Sequence, residues 1–449
     1  MNDVESQPGF QQEHPGKPPR PDLNARTRRV LTHLDAVLPD LDALYRDLHQ
    51  HPELSAQEAH TAAEVARRLE AEGYEVTRGM GGHGVVGLLC NGDGPTVMLR
   101  GDMDALPIEE KTGLPYASHV TTPDGEPVMH ACGHDVHTVC LAGTAALLAR
   151  SRDAWRGTVM VVAQPAEETL QGAQAMLEDG LYARFGTPDV VLGQHTAPLP
   201  VGAFMHREGV TMMGSAHVRV RLFGKGAHGA LPHLSVDPVV MGASVVMRLQ
   251  TIVSRELSPL EAAGVVTVGI FHAGARANVI PEEAVLELTV RTVDDAVRAQ
   301  VLAAIERIVK AEAEASDAPR PPRVEVLSST PVNHNDPALL RRIRDAHAGW
   351  FGSSAMVPGV LVTASEDFPR FAQGPEQPVP TAYWFMGITP LKAWNEAPGN
   401  TPEEKMSNLP GPHSPTYAPD REGSLRKGCE SLTVAALACL HPGGASRDA

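Results

Sequence analysis

Hydrophobic positions recur at helical spacing from residue 30 onward. Leu31, Leu34, Leu38, Leu41, Leu44 and Leu48 share one face, which predicts a helix with Pro39 either breaking it or standing in its first turn. A second helix is predicted over 57–72, closed by Gly73. Beyond it, short apolar runs at 85–89, 96–99, 158–163 and 190–192 alternate with helical stretches near 136–150 and 172–179. Buried strands alternating with helices define an α/β unit with a largely parallel sheet.

The texture changes near Met212. Residues 217–222 alternate polar and apolar, as a half-exposed strand does. A helix is predicted near 238–254, strands at 264–271 and 284–292, a helix over 295–315, and a last strand near 323–327. That β-α-β-β-α-β order is the ferredoxin-like arrangement. It reads as an inserted unit, 212–327, because α/β texture resumes at Pro337. The enclosing α/β unit is then discontinuous, 25–211 and 328–442, its mixed, largely parallel sheet flanked by helices. A disordered tail is expected over 1–24 and a flexible one over 443–449. The stretch 397–412, dense in Pro, Gly and Asn, reads as a loop.

A formal net charge of −16 argues against nucleic acid as a partner, since phosphate binding needs clustered Lys and Arg. No run approaches the length of a membrane helix, and the polar start lacks the form of a signal peptide. Five cysteines, an odd and sparse set, imply no disulfide framework. A soluble protein of a reducing compartment, the cytoplasm, is expected, with neither membrane nor nucleic acid as partner.

Candidate chemistry collects around predicted strand ends. Asp102 and Asp104 follow the run 96–99, Glu167 and Glu168 follow 158–163, and His195 follows 190–192. Cys132, His134, Asp135 and His137 stand just ahead of the helix at 136–150. Ligands of open α/β sheets bind at the carboxyl ends of strands, so these clusters are expected to share one crevice. Cys, His and carboxylate are the common ligands of zinc and related divalent ions. In the Glu167–Glu168 pair, one side chain can bind metal while the other serves as a base. Each residue alone has an ordinary reading: Cys132 as a buried thiol, His134 or His195 as a hydrogen-bonded histidine, the glutamates as a helix start.

The runs 48–54 (LHQHPEL), 100–107 (RGDMDALP), 129–137 (MHACGHDVH), 164–168 (QPAEE), 226–229 (GAHG), 278–281 (NVIP), 365–368 (SEDF) and 413–415 (HSP) together carry a resemblance. They resemble the aminoacylase and carboxypeptidase family of dinuclear metallohydrolases, in its branch of hippurate hydrolases and indole-acetyl-amino-acid hydrolases. The resemblance spans about 44–436. It implies a zinc-peptidase-like catalytic domain carrying an inserted lid, or dimerisation, domain, with hinges expected at 209–214 and 328–335. It implies two divalent ions, zinc or manganese, with nickel or cobalt as alternatives, held by Cys132, His134, Glu168, His195 and His413. Glu167 is then the general base and Asp104 the carboxylate that orients a ligating histidine.

In the same resemblance His228 donates a hydrogen bond to the oxyanion, in many relatives from the partner subunit of a homodimer, and Asn278 contacts substrate. Arg276 departs from the branch pattern. It reads either as a clamp on a substrate carboxylate or as a surface charge. The implied reaction is hydrolysis of the amide bond of a small N-acyl amino acid, with aryl or alkyl acyl groups, to a carboxylic acid and a free amino acid. Rival readings are a dipeptidase, a deacylase of N-acyl-diaminopimelate type and, from another class, a non-catalytic metal-dependent binding protein.

Overall fold

A computed structural model describes residues 23–260 and 262–443. The expected first helix is two helices, α1 (Leu23–Leu31) and α2 (Leu34–Gln50). The break falls at Thr32–His33, and Pro39 lies within α2. The cause is packing. Leu34, Val37, Leu41, Leu44, Tyr45 and Leu48 are all buried on one face of α2, and that burial outweighs the one backbone bond a proline forgoes. Two residues of the expected N-terminal tail are thus helical. The rest of that tail, 1–22, and residues 444–449 of the C-terminal one lie outside the described residues, while the Gly443 N–H is bonded to the Ala154 carbonyl.

Helix α3 (Ala59–Ala71) leads to strands β1 (Glu75–Met80), β2 (Gly84–Asn91) and β3 (Thr96–Asp102). Then come α4 (His134–Ala149), β4 (Trp155–Gln164), α5 (Gly172–Glu178), α6 (Leu181–Phe185), β5 (Val190–Pro200), β6 (Phe204–His206) and β7 (Gly209–Met212). The inserted segment carries β8 (Gly214–Phe223), β9 (Ala227–His228), α7 (Pro238–Thr251), β10 (Gly264–Ala273), β11 (Val279–Ile280), β12 (Glu283–Thr292), α8 (Asp295–Ala315) and β13 (Arg323–Thr330). The chain returns through β14 (Asn333–Asn335), α9 (Pro337–Phe351), β15 (Met356–Pro358), β16 (Thr381–Thr389), α10 (Leu391–Glu396), α11 (Pro402–Ser407), α12 (Arg421–Cys439) and β17 (His441–Pro442).

Nine strands form the main sheet, in the order β1-β2-β4-β3-β5-β16-β6-β15, with β17 beside β4. Its centre, β4-β3-β5-β16, is parallel, while β1, β2 and β6 pair antiparallel. Strands β3, β4, β5 and β16 are almost wholly buried because helices cover both faces. On one face α2, α4 and α12 pack around Leu41, Leu141 and Leu437; on the other, Met160, Met176 and Phe368 form a second core. Helix α4 is buried along nearly its whole length, which explains why its sequence after Thr138 is apolar except for Thr144.

The inserted segment forms a four-stranded antiparallel sheet, β10-β12-β8-β13, backed by α7 and α8. This is the ferredoxin-like order. Its core residues run from Ala216 to Ala313 and form a cluster separate from the two cores of the main sheet. The two linking segments pair with each other as a short ribbon, β7 with β14. One expectation is corrected: the stretch 397–412 contains α11. Thr401 caps it by accepting the Glu404 N–H, Pro402 stands at its first position, and Glu403 and Glu404 lie in its first turn.

Candidate metal centre

Three loops, one helix start and one strand carry the candidate donors. Gly133 separates Cys132 from His134, the first residue of α4, at φ 84°. A Cβ there would lie 2.4 Å from Thr196 Oγ1, so only glycine fits. Glu167 and Glu168 follow β4. His195 lies inside β5 rather than after it, because that strand runs on to Pro200. His413 sits in the loop before α12 with a left-handed backbone, φ 69°, its N–H bonded to the Ala131 carbonyl at 2.7 Å.

These residues converge. The possible ligand atoms of Cys132, His134 and His195 lie within 4.8 Å of one another, as do those of Cys132, Glu168 and His413, and of His134, Glu167 and Glu168. Cys132 Sγ is 3.5 Å from His195 Nε2, and Glu168 Oε1 is 3.3 Å from His413 Nε2. His134 Nε2 lies 3.8 Å from both Glu167 Oε2 and Glu168 Oε1. Among the described residues, buried His134 Nε2 and Glu168 Oε1 have no partner in hydrogen-bonding geometry. Buried polar atoms are rarely left so, and a cation between them fits both.

The surrounding bonds fix which atoms are free. His195 Nδ1 donates to the Thr196 carbonyl at 2.6 Å, leaving Nε2 as the donor atom toward the cluster. His134 Nδ1 faces Asp104 Oδ1 at 3.2 Å. Asp104 Oδ2 accepts the Glu168 N–H at 2.9 Å and the Ser55 hydroxyl at 2.6 Å. His137, in contrast, is engaged at both nitrogens: Nδ1 bonds Asp102 at 2.6 Å, and Nε2 accepts the Thr196 N–H at 2.9 Å. It orients Asp102 instead of offering a free atom.

Burial, then the charges of Glu366 and Glu168, hold the Glu167 carboxyl well above the usual range, against the opposing pull of His134. Burial and then the neighbouring His137 push His195 down to about 3. Beneath the cluster, buried Arg100 donates to Asp102 at 2.6 Å, Gln164 at 2.8 Å and Glu366 at 2.7 Å, and Glu366 accepts the Tyr383 hydroxyl at 2.6 Å. The cluster opens into a cavity of about 660 Å³ walled by Leu170, Met205, Met212, Phe385 and Met406, with Glu167, Glu366 and Arg291 also on its lining.

His228, Asn278 and Arg276 lie elsewhere. His228 and Val279 are register partners on the β9–β11 ribbon, and Gly229 N–H donates to the Asn278 carbonyl at 2.8 Å. All three side chains belong to exposed residues and none lines the cavity. His228 Nδ1 accepts the Ala230 N–H at 3.1 Å, so its Nε2 carries the outward proton. The cationic side chain that does line the cavity is Arg291 on β12. It donates to Ser365 Oγ, has no acidic partner among the described residues, and is lowered by burial. Its position in an alternating strand made it look like any solvent-facing charge. Arg100, a charge that directly follows the apolar run 96–99 in β3, has the clearer local signal.

The arrangement is that of an enzyme acting on amide bonds. The chain belongs to peptidase family M20/M25/M40, whose profile matches residues 98–408. It is 37% identical to the N-acetyl-L-cysteine deacetylase of Bacillus subtilis over 81% of this chain and 84% of that one. It is 38% identical to the hippurate hydrolase of Campylobacter jejuni over 66% and 76%. The crystal structure of the Bacillus subtilis YXEP protein, a dinuclear metal-binding peptidase of the M20 family, superposes with a TM-score of 0.70 at 30% identity, covering 90% of this chain and 100% of that one.

Proposed function

We propose that this protein hydrolyses the amide bond of N-acyl amino acids, with two divalent ions held by Cys132, His134, Glu168, His195 and His413. The observation that carries the reading is the convergence of these five donors beside Glu167, a buried carboxyl on the lining of the cavity. Cys132 belongs to two of the donor groups, Cys132–His134–His195 and Cys132–Glu168–His413, so its thiolate would contribute to holding the metal in either. Thiolate and imidazole favour zinc, and the carboxylate admits manganese, nickel or cobalt. Such ions, when bound, polarise a carbonyl oxygen and lower the pKa of water.

Glu167 takes the proton of the attacking water and returns it to the leaving nitrogen, which departs poorly unless protonated. Asp104 holds His134 in register. Arg291, a guanidinium with no acidic partner among the described residues, binds the substrate carboxylate in place of Arg276. The wall of Met205, Met212, Met406, Leu170 and Phe385 takes the acyl group, aryl or alkyl.

The inserted unit acts as lid and dimerisation domain. His228 stands outside the cavity of its own chain, with a proton on Nε2 to donate to an oxyanion, and a second copy supplies it. An apolar stripe on α7, with Val240 64% and Met247 72% exposed, and the open edge of β10 support that pairing. Five free thiols suit a reducing compartment, the cytoplasm.

The test is hydrolysis of a panel of N-acyl amino acids, dipeptides and N-acyl-diaminopimelates by chelator-stripped protein with single metals restored. Metal-dependent release of amino acid, faster by about fourfold for each added acyl methylene, is the expected result. Preference for dipeptides, or activity without metal, would overturn it.

A further inference from the structure

Two alanines have left-handed backbones, Ala56 at φ 63° and Ala166 at φ 51°. Alanine gains nothing there, because its Cβ crowds the following carbonyl and it has no polar side chain to compensate. A left-handed alanine persists only where its surroundings hold it. Both amides are held by one atom: Glu58 Oε1 accepts the Ala56 N–H at 2.9 Å and the Ala166 N–H at 2.8 Å. Glu58 has no exposed surface, and its Oε2 has no partner among the described residues. It is not one of the residues that line the cavity.

Ala166 immediately precedes Glu167. On the other side of Glu167, the Glu168 N–H is gripped by Asp104 Oδ2, which Ser55 also donates to. The Glu167 carbonyl accepts the Leu170 N–H at 2.6 Å, closing the turn. The N–H groups of the residues on either side of Glu167 are thus each held by a carboxylate, and residues 55–58 supply or brace both clamps. A carboxylate is a strong acceptor for backbone N–H groups. Release of the first clamp would let Ala166 relax to the right-handed basin and swing the Glu167 side chain away from its present direction.

We propose that Glu58 is a positioning residue for Glu167, locking Ala166 in the left-handed conformation that aims the Glu167 carboxylate into the cavity. The inference rests on Glu167 being the general base. A shift of about 1 Å in a reacting group costs on the order of a hundredfold in rate. Glu58→Ala is therefore expected to lose about 10- to 100-fold in kcat, with KM and bound metal unchanged. Glu58→Gln, which keeps the accepting oxygen, is expected to retain most of the turnover.

The deciding variant is Ala166→Gly in the Glu58→Ala background. Glycine enters the left-handed region without steric cost, so the double variant should recover about tenfold of the lost kcat. A residue that merely stabilised the fold would gain thermal stability at best from that change, not kcat. If Glu58→Ala does not fold, Glu58→Asp replaces it: the shorter side chain cannot reach both amides, and it should show the same kcat loss and the same rescue. Unchanged kcat in Glu58→Ala or Glu58→Asp overturns the proposal, and so does a loss that Ala166→Gly leaves uncorrected. Glu167→Gln is run beside them. If it stays active, the reading of the base fails; if it is inactive while Glu58→Ala is not, the positioning role alone fails.

Discussion

His134 and Asp104 face each other across 3.2 Å, imidazole Nδ1 to carboxylate Oδ1, and both are almost completely buried. The pairing leaves Nε2, the unpartnered nitrogen, directed at Glu167 and Glu168. Because Asp104 also accepts the Glu168 N–H, one carboxylate sets the direction of two of the proposed ligands. Asp104→Ala should weaken metal binding about 10- to 100-fold, read by competition with a chelator. Wild-type affinity in that variant would remove Asp104 from the centre.

The two glutamates of the Glu167–Glu168 pair should separate cleanly. Glu167→Gln is expected to keep its metal and lose turnover by about a thousandfold, within the range for a removed general base. Cys132→Ser should fail earlier, at metal retention, since the thiol belongs to both proposed triads. Metal analysis of the dialysed variants, next to their kcat, distinguishes the two losses. A Cys132→Ser protein with full metal content would reject the thiol as a ligand.

Arg291 is expected to select the carboxylate of the substrate. Its guanidinium lines the cavity, bonded to Ser365 and to no acid among the described residues. A charge-assisted hydrogen bond to a charged group contributes about 1.5–3 kcal/mol, so Arg291→Met should lower kcat/KM about 10- to 100-fold. The loss should disappear for substrates whose carboxylate is replaced by an amide. An equal loss on both substrate types would show that Arg291 does not touch that group.

Stability should depend on pH through His49. Burial lowers its pKa, but hydrogen bonds to Asp135 at 2.7 Å and Glu110 at 3.1 Å more than reverse this and carry it up to about 9 from 6.5. The folded value lies above the unfolded one. This contribution is therefore complete below pH 6.5 and is lost as pH rises through about 9. Denaturant midpoints should fall between pH 7 and about pH 9.5, and His49→Asn, less stable at neutral pH, should flatten that limb. An unaltered slope in the variant would exclude His49 as its source.

Much of this site was legible because its chemistry is written in short runs. Cys132-Gly-His134 and Glu167-Glu168 mark candidate donors and a candidate base near a helix start and a strand end, and the helix 295–315 was bounded by its own periodicity. Other features depend on contacts between distant segments, which a sequence pattern does not carry. Glu58 meets Ala166 across 108 positions, and Arg291 differs from its exposed neighbours only in what lies opposite. Pro39 misled for the same reason, since the face that keeps α2 intact is buried by α4 and α12. The short helix α11 did have a local signal, the Thr-Pro-Glu-Glu start, hidden among the prolines and glycines around it.

The proposed homodimer makes a quantitative prediction. His228 lies outside the cavity of its own chain, so the proposed reading needs the His228 of a second copy for each site. Glu167→Gln and His228→Ala should each be inactive as pure proteins. Mixed after subunit exchange, half of the dimers become heterodimers, and one site in each of them combines an intact Glu167 with an intact His228. Activity should therefore return to about a quarter of wild type. If His228 acted within its own chain, no site in the mixture would be complete and none would return. Met247→Asp provides the structural control: a charge on the exposed α7 stripe should yield monomers by sedimentation, inactive although fully loaded with metal. Active monomers would show that the catalytic centre of one chain is sufficient.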